Sequence, residues 1–263
     1  MGVRMSNVSN AVVCVGGLDT SGGAGLAADI RAAAALRTPC LPIAAVLAPQ
    51  DAGGVHQVFP VPPGALRGQL RAVDWSGVGA VKLGVVYLPE LLELLLAELP
   101  RATVLVIDPV LGASAGGRLA VPGLLEVLRG RAFPRASLVT FNRREVQAFF
   151  DRDYATADEA VESAGELAVE LGCAVLLKGG HLPGAPVDCL ATPAGAGEVF
   201  PGGRSRHTVR GTGCLLATAI ACGLAGGLSV GEAAGRAKVL VNDAVSAAYA
   251  GAAGYVAAPG AAG

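Results

Sequence analysis

The stretch that decides the fold runs from Ala11 to Ile30 and reads AVVCVGGLDTSGGAGLAADI. It opens with a short apolar run, Ala11–Gly16, which predicts a buried strand. The glycine-rich segment Gly16–Gly25 follows, and an alanine-rich helix is expected from about Ala24 to Leu36. A strand, a glycine-rich turn and a helix in this order form the first half of a βαβ unit. The segment therefore indicates an α/β fold built on parallel strands.

The alternation of apolar strands and helical segments continues along the rest of the chain. The predicted strands are Leu41–Ala48, Val55–Val61, Gly79–Leu83, Thr103–Ile107, Ser137–Thr140, Ala174–Leu177 and a hairpin of Val187–Thr192 with Glu198–Phe200. The predicted helices are Pro63–Val73, Pro89–Leu99, Val121–Arg129, Arg143–Phe150, Ala157–Leu171, Cys214–Leu224 and Gly231–Ala248. This order predicts a mainly parallel central sheet covered by helices on both faces, a three-layer α/β/α sandwich. We expect a single domain over residues 1–263, with flexible tails at 1–10 and 251–263.

Composition excludes several classes of protein. Charged residues are 16% of the 263 and the net charge is −1, so the chain is neither disordered nor charged enough to attract nucleic acid or anionic lipid. The uncharged stretch Gly211–Gly231 is long enough to span a bilayer, but its six glycines and missing aromatic belt favour a buried helix. The six cysteines contain no CxxC pair, so a zinc site or disulfide framework is not indicated. We expect a reducing, cytoplasmic location.

Two glycine-rich segments are the first candidates for ligand binding. Gly16–Gly25 lacks the dinucleotide-binding spacing and the Walker A lysine, but it lets a ligand approach the main chain. It also places Asp29 one turn into the following helix. The second segment, Arg210–Cys214 (RGTGC), precedes an apolar helix whose first N–H groups can bind an anion. Cys214 would lie in the first turn of that helix, where the helix dipole is expected to lower the pKa of its thiol. A plain tight turn and a glycine-rich cap with a core cysteine are the respective alternatives.

Polar residues follow several predicted strands, at the edge where parallel sheets bind their ligands. Asp108 ends a buried strand, and Asn142 and Glu145 lie three residues apart around a predicted helix start. At that spacing the two side chains share one face of the helix. Acidic and amide groups suit a hydrated Mg²⁺ that carries phosphates, and the same pair can form a capping box. Both interpretations can hold together.

Lysine is unusually rare. Of the 20 basic residues, only Lys82, Lys178 and Lys238 are lysines. We expect them where a compact ammonium group is needed and a guanidinium is not equivalent. The alternative is that these three positions carry lysine by chance.

Together these segments resemble the hydroxymethylpyrimidine/phosphomethylpyrimidine kinase family of the ribokinase-like superfamily. The matching motifs, over residues 11–250, are GLDTSGGAGLAADI, APQDAGGV, KLGVV, DPV, TFNRRE, KGGHL and GTGC. The resemblance implies a ribokinase-like fold and ATP-dependent phosphorylation of 4-amino-5-hydroxymethyl-2-methylpyrimidine in thiamine biosynthesis. A second transfer to the resulting monophosphate is implied as well. It also implies Mg²⁺, allows a monovalent cation, and implies a homodimer that binds small molecules rather than nucleic acid or membranes.

The resemblance assigns roles to individual residues. The positions that match substrate contacts are Gly17, Asp29, Gln50 and Val85. Those that match the catalytic region are Gly211, Thr212 and Gly213 of the anion hole, Lys178, and Cys214 where sugar kinases carry a base. Those that match the nucleotide side are Lys178, Lys238 and Asn142, and those that match the metal region are Asp108 and Glu145.

The chain departs from the family pattern at informative places. The lid motif KSGD reads SAGG at 114–117, so its lysine and aspartate are missing, and HGTGC begins with Arg210 instead of histidine. A lid lysine can neutralise a substrate that already carries a phosphate. We therefore expect the first transfer to be more efficient than the second, with Arg118 as a candidate substitute cation.

Two other functions remain open at this point. A pyridoxal or pyridoxine kinase would have the same fold and a related hydroxymethyl substrate. A non-catalytic vitamin-binding protein of this fold would explain the altered lid, whereas the intact GTGC and KGGH motifs oppose it.

Overall fold

A computed structural model describes residues 10–112, 116–180, 186–203, 205–252 and 254–260. The strands are β1 (Ala11–Asp19), β2 (Cys40–Ala48), β3 (Gln50–Asp51), β4 (Gly54–Val55), β5 (Phe59–Pro60), β6 (Val78–Leu83), β7 (Val104–Ile107), β8 (Leu138–Asn142), β9 (Ala174–Lys178), β10 (Val187–Thr192), β11 (Gly195–Pro201), β12 (Val209–Arg210), β13 (Tyr249–Gly251) and β14 (Gly254–Val256). The helices are α1 (Gly25–Ala35), α2 (Pro63–Arg71), α3 (Pro89–Glu98), α4 (Leu124–Val127), α5 (Arg143–Phe150), α6 (Ala157–Leu171), α7 (Thr212–Ala225) and α8 (Val230–Ser246).

Nine strands form one sheet in the order β11-β10-β9-β8-β7-β6-β1-β2-β5. The six strands from β9 to β2 run parallel. Strands β5, β10 and β11 pair antiparallel at the two ends of the sheet. The predicted α/β fold is confirmed, and the carboxyl ends of six strands meet at one edge.

Alternate residues of each central strand point into different apolar layers. In β1, Val13 and Val15 face the layer that contains α2 to α6, whereas Val12 and Cys14 face the layer of α1, α7 and α8. The uncharged stretch after Gly211 forms α7, which packs inside the second layer. Within the described ranges, no helix combines the length and the apolar character needed to cross a membrane.

Three parts of the chain differ from the expectation. The strand expected at Val55–Val61 is divided into β4 and β5, which belong to different sheets. The helix expected at Val121–Arg129 is only the short α4, which continues into a π-helical turn at Leu128–Ala132. It starts late because Gly123 adopts a left-handed conformation (φ 87°) that cannot lie inside a helix.

The chain after 250 was expected to be a flexible tail, and this was wrong for the described part. Strand β14 pairs with β12 and β13 in a small three-stranded sheet. Val256 and Ala257 are buried, and this apolar burial holds the segment in place. Residues 1–9, 253 and 261–263 of the expected tails lie outside the described residues.

Candidate active site

The carboxyl ends of the parallel strands open onto a cavity of about 130 Å³. Both glycine-rich segments contribute to its wall. Ten of the thirteen predicted site residues line it: Gly17, Gln50, Val85, Asp108, Asn142, Glu145, Lys178, Gly211, Gly213 and Cys214. Thr212, Asp29 and Lys238 are not part of this wall. The expected convergence of the motifs at one edge of the sheet is therefore found.

One end of the cavity carries a cluster of opposite charges. The Nζ atom of Lys178 lies 2.6 Å from Asp108 Oδ1 and 3.6 Å from Glu145 Oε2. The hydroxyl of Thr140 also donates to Asp108 Oδ1, at 3.0 Å. The side chain of Lys178 is 15% exposed and that of Asp108 only 2%. The ammonium group is therefore the charge that this cluster presents to the cavity.

Burial and these charges set the protonation of the cluster. Burial raises the pKa of Glu145 to about 7, against the effect of the Lys178 charge. Burial alone would raise the pKa of Asp108 too, but the charges of Lys178 and Lys82 outweigh it and hold that pKa below its usual value. The cluster thus contains a fixed carboxylate, an ammonium group and a carboxyl group that titrates near neutral pH.

Asn142 and Glu145 also form the predicted capping box at the start of α5. Asn142 Oδ1 accepts from the N–H of Glu145 at 3.0 Å, and Glu145 Oε2 accepts from the N–H of Asn142 at 2.7 Å. Both residues line the cavity at the same time. The cap fixes the Glu145 carboxyl next to Lys178.

The N-terminus of α7 faces the same cluster. Gly211 is its left-handed N-cap (φ 79°), and a Cβ there would clash with the carbonyl oxygen of Gly23, so the position requires glycine. A Cβ on Gly213 would lie 3.7 Å from Asp108 Oδ2 and 3.8 Å from Lys178 Nζ. An anion beside Gly213 would meet both the helix N-terminus and the Lys178 ammonium group.

Cys214 lies in the first turn of α7 and lines the cavity. Burial raises the pKa of its thiol to about 11, although the Lys82 charge acts in the opposite direction. The expected lowering of this pKa was wrong, because loss of hydration raises it by more than the Lys82 charge lowers it. At neutral pH Cys214 is therefore a neutral thiol.

The other end of the cavity is less charged. Gly17, Val46 and Val85 form part of its wall, and a Cβ on Gly17 would lie only 2.9 Å from Val46 Cγ2. Gln50 supplies an amide whose Oε1 accepts from Arg210 Nη2 at 2.9 Å. Apolar side chains beside one amide, next to the paired charges of Arg210 and Asp19, suit an uncharged ring that carries polar edge atoms.

Asp29 lies behind the wall, so its expected contact with the substrate stays a prediction. It is fully buried, accepts from Lys82 Nζ at 2.9 and 3.0 Å and accepts from Thr218 Oγ1 at 2.8 Å. Lys82 itself reaches the cavity wall. Burial disfavours the charge of Lys82, but Asp29, Cys214 and Asp108 outweigh that effect and raise its pKa. Asp29 therefore holds a fixed cation in the cavity wall.

Lys238 lies behind a neighbouring turn instead of in the cavity wall. Its Nζ is 2.7 Å from Asp188 Oδ2, and Asp188 Oδ1 accepts from the N–H of Gly179 at 3.0 Å. This chain of contacts fixes the turn that directly follows Lys178. A nucleotide contact by Lys238 stays a prediction.

Sequence reasoning missed Arg210 and Asp19 as members of the wall, and it gave Lys82 no role there. The available signals were the replacement of the family's histidine by Arg210 and the scarcity of lysine. Arg118 is exposed and is not part of the cavity wall. The arginine that lines the wall is Arg210. Positions 113–115 of the lid and 181–185 after the KGG turn lie outside the described residues.

The chain is similar to known proteins over most of its length. Residues 19–258 match the family described as phosphomethylpyrimidine kinase. A hydroxymethylpyrimidine/phosphomethylpyrimidine kinase of Streptomyces coelicolor is 38% identical over 250 residues, 90% of this chain and 89% of that protein. A thiamine biosynthesis bifunctional protein of Geobacter sulfurreducens is 37% identical over 89% of this chain and 49% of its own length. The structure of an ADP complex of Bacillus subtilis pyridoxal kinase superposes with a TM-score of 0.80 at 27% identity, over 92% of this chain and 93% of that one.

Proposed function

The chain belongs to the phosphomethylpyrimidine kinase family, and from this premise we propose that it uses ATP to phosphorylate the hydroxymethyl group of 4-amino-5-hydroxymethyl-2-methylpyrimidine in thiamine biosynthesis. The observation that carries the proposal is the division of the cavity. One end holds Lys178 and the N-terminus of α7, and the other holds Gln50 between apolar side chains and the Arg210–Asp19 ion pair. A phosphoryl group suits the first end and a small polar ring suits the second.

The charged end supplies what phosphoryl transfer needs most, namely positioning and neutralisation of charge. Lys178 is held by Asp108, so its ammonium group has a fixed place next to Gly213. The first N–H groups of α7 have no partners within the helix and can donate to phosphoryl oxygens. Because this arrangement exists before the ligand binds, little reorganisation is required during the reaction.

Asp108 and Glu145 would hold a Mg²⁺ ion in this proposal. Among the described residues no group of three or more acidic, histidine or cysteine side chains could hold a metal. One or two carboxylates are nevertheless the usual protein contribution where phosphates and water complete the shell of Mg²⁺, so the donor set fits. Such an ion would neutralise charge on the nucleotide phosphates.

Cys214 is proposed to orient the substrate hydroxyl rather than to remove its proton in the resting site. With a pKa near 11 the thiol is protonated at neutral pH. It becomes a proton acceptor only if bound ligands lower that pKa. The nearby Lys82 charge already acts in this direction, but desolvation outweighs it.

The second transfer, to the monophosphate, is proposed to be the weaker activity. That substrate adds nearly two charges, and the lid of this chain lacks the family's lysine. Arg210 lines the cavity but already contacts Asp19 and Gln50, so its charge is partly compensated.

Pyridoxal kinase activity is the second candidate, because the fold is shared with the Bacillus subtilis enzyme. The test is ADP release by the purified chain with the pyrimidine, its monophosphate, pyridoxal and pyridoxine, with products identified by mass spectrometry. We expect kcat/KM to be highest for the pyrimidine and lower for its monophosphate. Preferred turnover of a B6 vitamer would overturn the assignment, and binding without ADP release would identify a non-catalytic protein. Lys178→Met serves as the inactive control.

A homodimer is proposed from one exposed apolar row. Leu18 pairs in register with Leu47, and Leu47 pairs with Phe59. Each of these side chains is nearly half exposed. Such a row suits burial against a second copy. Sedimentation equilibrium should show a dimer that Leu47→Glu dissociates, and a monomeric wild type would refute it.

A further inference from the structure

The side chain of Arg210 joins several parts of the cavity wall. Its Nη2 donates to Gln50 Oε1 at 2.9 Å and lies 3.5 Å from Asp19 Oδ2, and its Nη1 donates to the carbonyl oxygen of Asp51 at 3.1 Å. Its main chain pairs with Val256 of β14. Arg210 is only 5% exposed, so the guanidinium group is held inside the wall instead of moving at the surface.

The carboxylate that supports Arg210 is itself fixed. Asp19 Oδ1 accepts from the N–H of Ser21 at 2.8 Å, and its Oδ2 accepts from the N–H of Ala24 at 2.9 Å. These bonds tie Asp19 to the glycine-rich turn between β1 and α1. Arg210 therefore connects a rigid turn to the Gln50 amide.

This contact decides which end of the Gln50 amide faces a ligand. A guanidinium group can only donate hydrogen bonds, so the amide atom next to it must be the oxygen. A flipped amide would place its NH₂ group against the N–H groups of Arg210. The NH₂ group of Gln50 is thus the end that remains for a ligand, together with the second lone pair of Oε1.

We propose that Arg210 is a positioning residue that determines specificity. It holds the Gln50 amide in one orientation, so that the amide NH₂ group donates to an unprotonated ring nitrogen of the substrate, next to an amino group. The inference rests on the proposed function, since it places the substrate ring at Gln50. It selects heteroaromatic rings that present an acceptor nitrogen at this edge. A ring with C–H at that position leaves the amide NH₂ group without a partner.

The first test is Gln50→Glu. A carboxylate keeps the oxygen that accepts from Arg210, and the Arg–carboxylate pair preserves the fold, but the NH₂ donor is lost. Calorimetric titration should show pyrimidine binding weakened about tenfold or more, with ATP binding unchanged. A pyrimidine analogue with C–H in place of the ring nitrogen should bind the wild type more weakly by a similar factor. The variant should bind this analogue no more weakly than it binds the pyrimidine.

The second test is a double-mutant cycle. If Arg210 acts through Gln50, Arg210→Met weakens pyrimidine binding in the wild type and has little further effect in Gln50→Ala. Arg31→Met is the matched control, because Arg31 Nη1 donates to the carbonyl oxygen of Gly22 in the same turn, at 2.7 Å, and has no described contact with Gln50. This variant should bind the pyrimidine like the wild type.

The outcomes separate this inference from the proposed function. A wild type that does not bind the pyrimidine would refute the function itself. Two results would overturn only the role of Arg210 if the wild type binds the pyrimidine. One is a Gln50→Glu variant that binds the pyrimidine as well as the wild type does. The other is a double variant in which the effects of Arg210→Met and Gln50→Ala on binding simply multiply. If Arg210→Met does not fold, Gln50→Glu and the ring analogue still test the amide orientation that Arg210 is proposed to set, and an unaffected Gln50→Glu variant overturns it.

Discussion

Replacing Gly213 with alanine should affect stability and catalysis in opposite directions. Gly213 lies in the first turn of α7, and its added Cβ would meet Asp108 Oδ2 at 3.7 Å and Lys178 Nζ at 3.8 Å. Both distances are ordinary van der Waals contacts, so the fold accepts the methyl group. Alanine is favoured over glycine in a helix by up to about 1 kcal/mol, and near the helix start we expect roughly half of that. Tm should rise by about 1–2 °C.

Catalysis should suffer because the methyl group occupies the space where the phosphoryl group meets the helix N-terminus and Lys178. Loss of one such donor in other enzymes lowers kcat by about 10²–10³, or about 2.7–4 kcal/mol of transition-state stabilisation. The substrate ring binds at the other end of the cavity, so its KM should change much less. A variant that is more stable and nearly inactive is the expected result.

The assay is steady-state ADP release together with thermal unfolding. Gly165→Ala in α6 is the matched control, because its Cβ would meet no atom within 4 Å, and it should gain stability with kcat unchanged. Gly211→Ala should instead lose stability, since that residue has a φ of 79° and no room for a Cβ. A Gly213→Ala enzyme with wild-type kcat would show that the phosphoryl group does not bind beside this residue.

Three further predictions concern the buried charges. Glu145→Gln keeps the helix cap. Burial raises the pKa of Glu145 from 4.5 to about 7, so the wild type loses stability as the pH rises through this range. Relative to the wild type, the variant should therefore be more stable at pH 8 than at pH 5, by at most about 3 kcal/mol in urea unfolding. An equal difference at both pH values would contradict this. Lys82→Met leaves the Asp29 carboxylate buried without its ammonium partner and should cost about 3–5 kcal/mol, part of which Asp29→Asn should restore in the double variant. Lys238→Met removes the ion pair with Asp188, so it should lower stability by about 3 kcal/mol and leave the KM for ATP unchanged. A raised KM for ATP with normal stability would instead support a direct contact with the nucleotide.

Local sequence signals were reliable where neighbouring residues form the structure. The expected helices Arg143–Phe150 and Ala157–Leu171 have the bounds found for α5 and α6. Both begin with capping boxes, in which a side chain binds a backbone group three residues away. The small sheet that contains β14 has no such local signal, because its short strands form only when remote segments pair.

The sequence by itself determined the alternation of strands and helices, the two glycine-rich turns and the edge of the sheet where the polar residues converge. Tertiary structure alone decided which of those residues face the cavity. Lys82 pairs with Asp29 across 53 residues, and Arg210 reaches Gln50 across 160. The same packing half-buries Cys214 and raises its thiol pKa, against the expectation from its place in the helix. The physical reason is that caps and periodicity depend on residues a few positions apart, whereas burial and ion pairing depend on segments that only folding brings together.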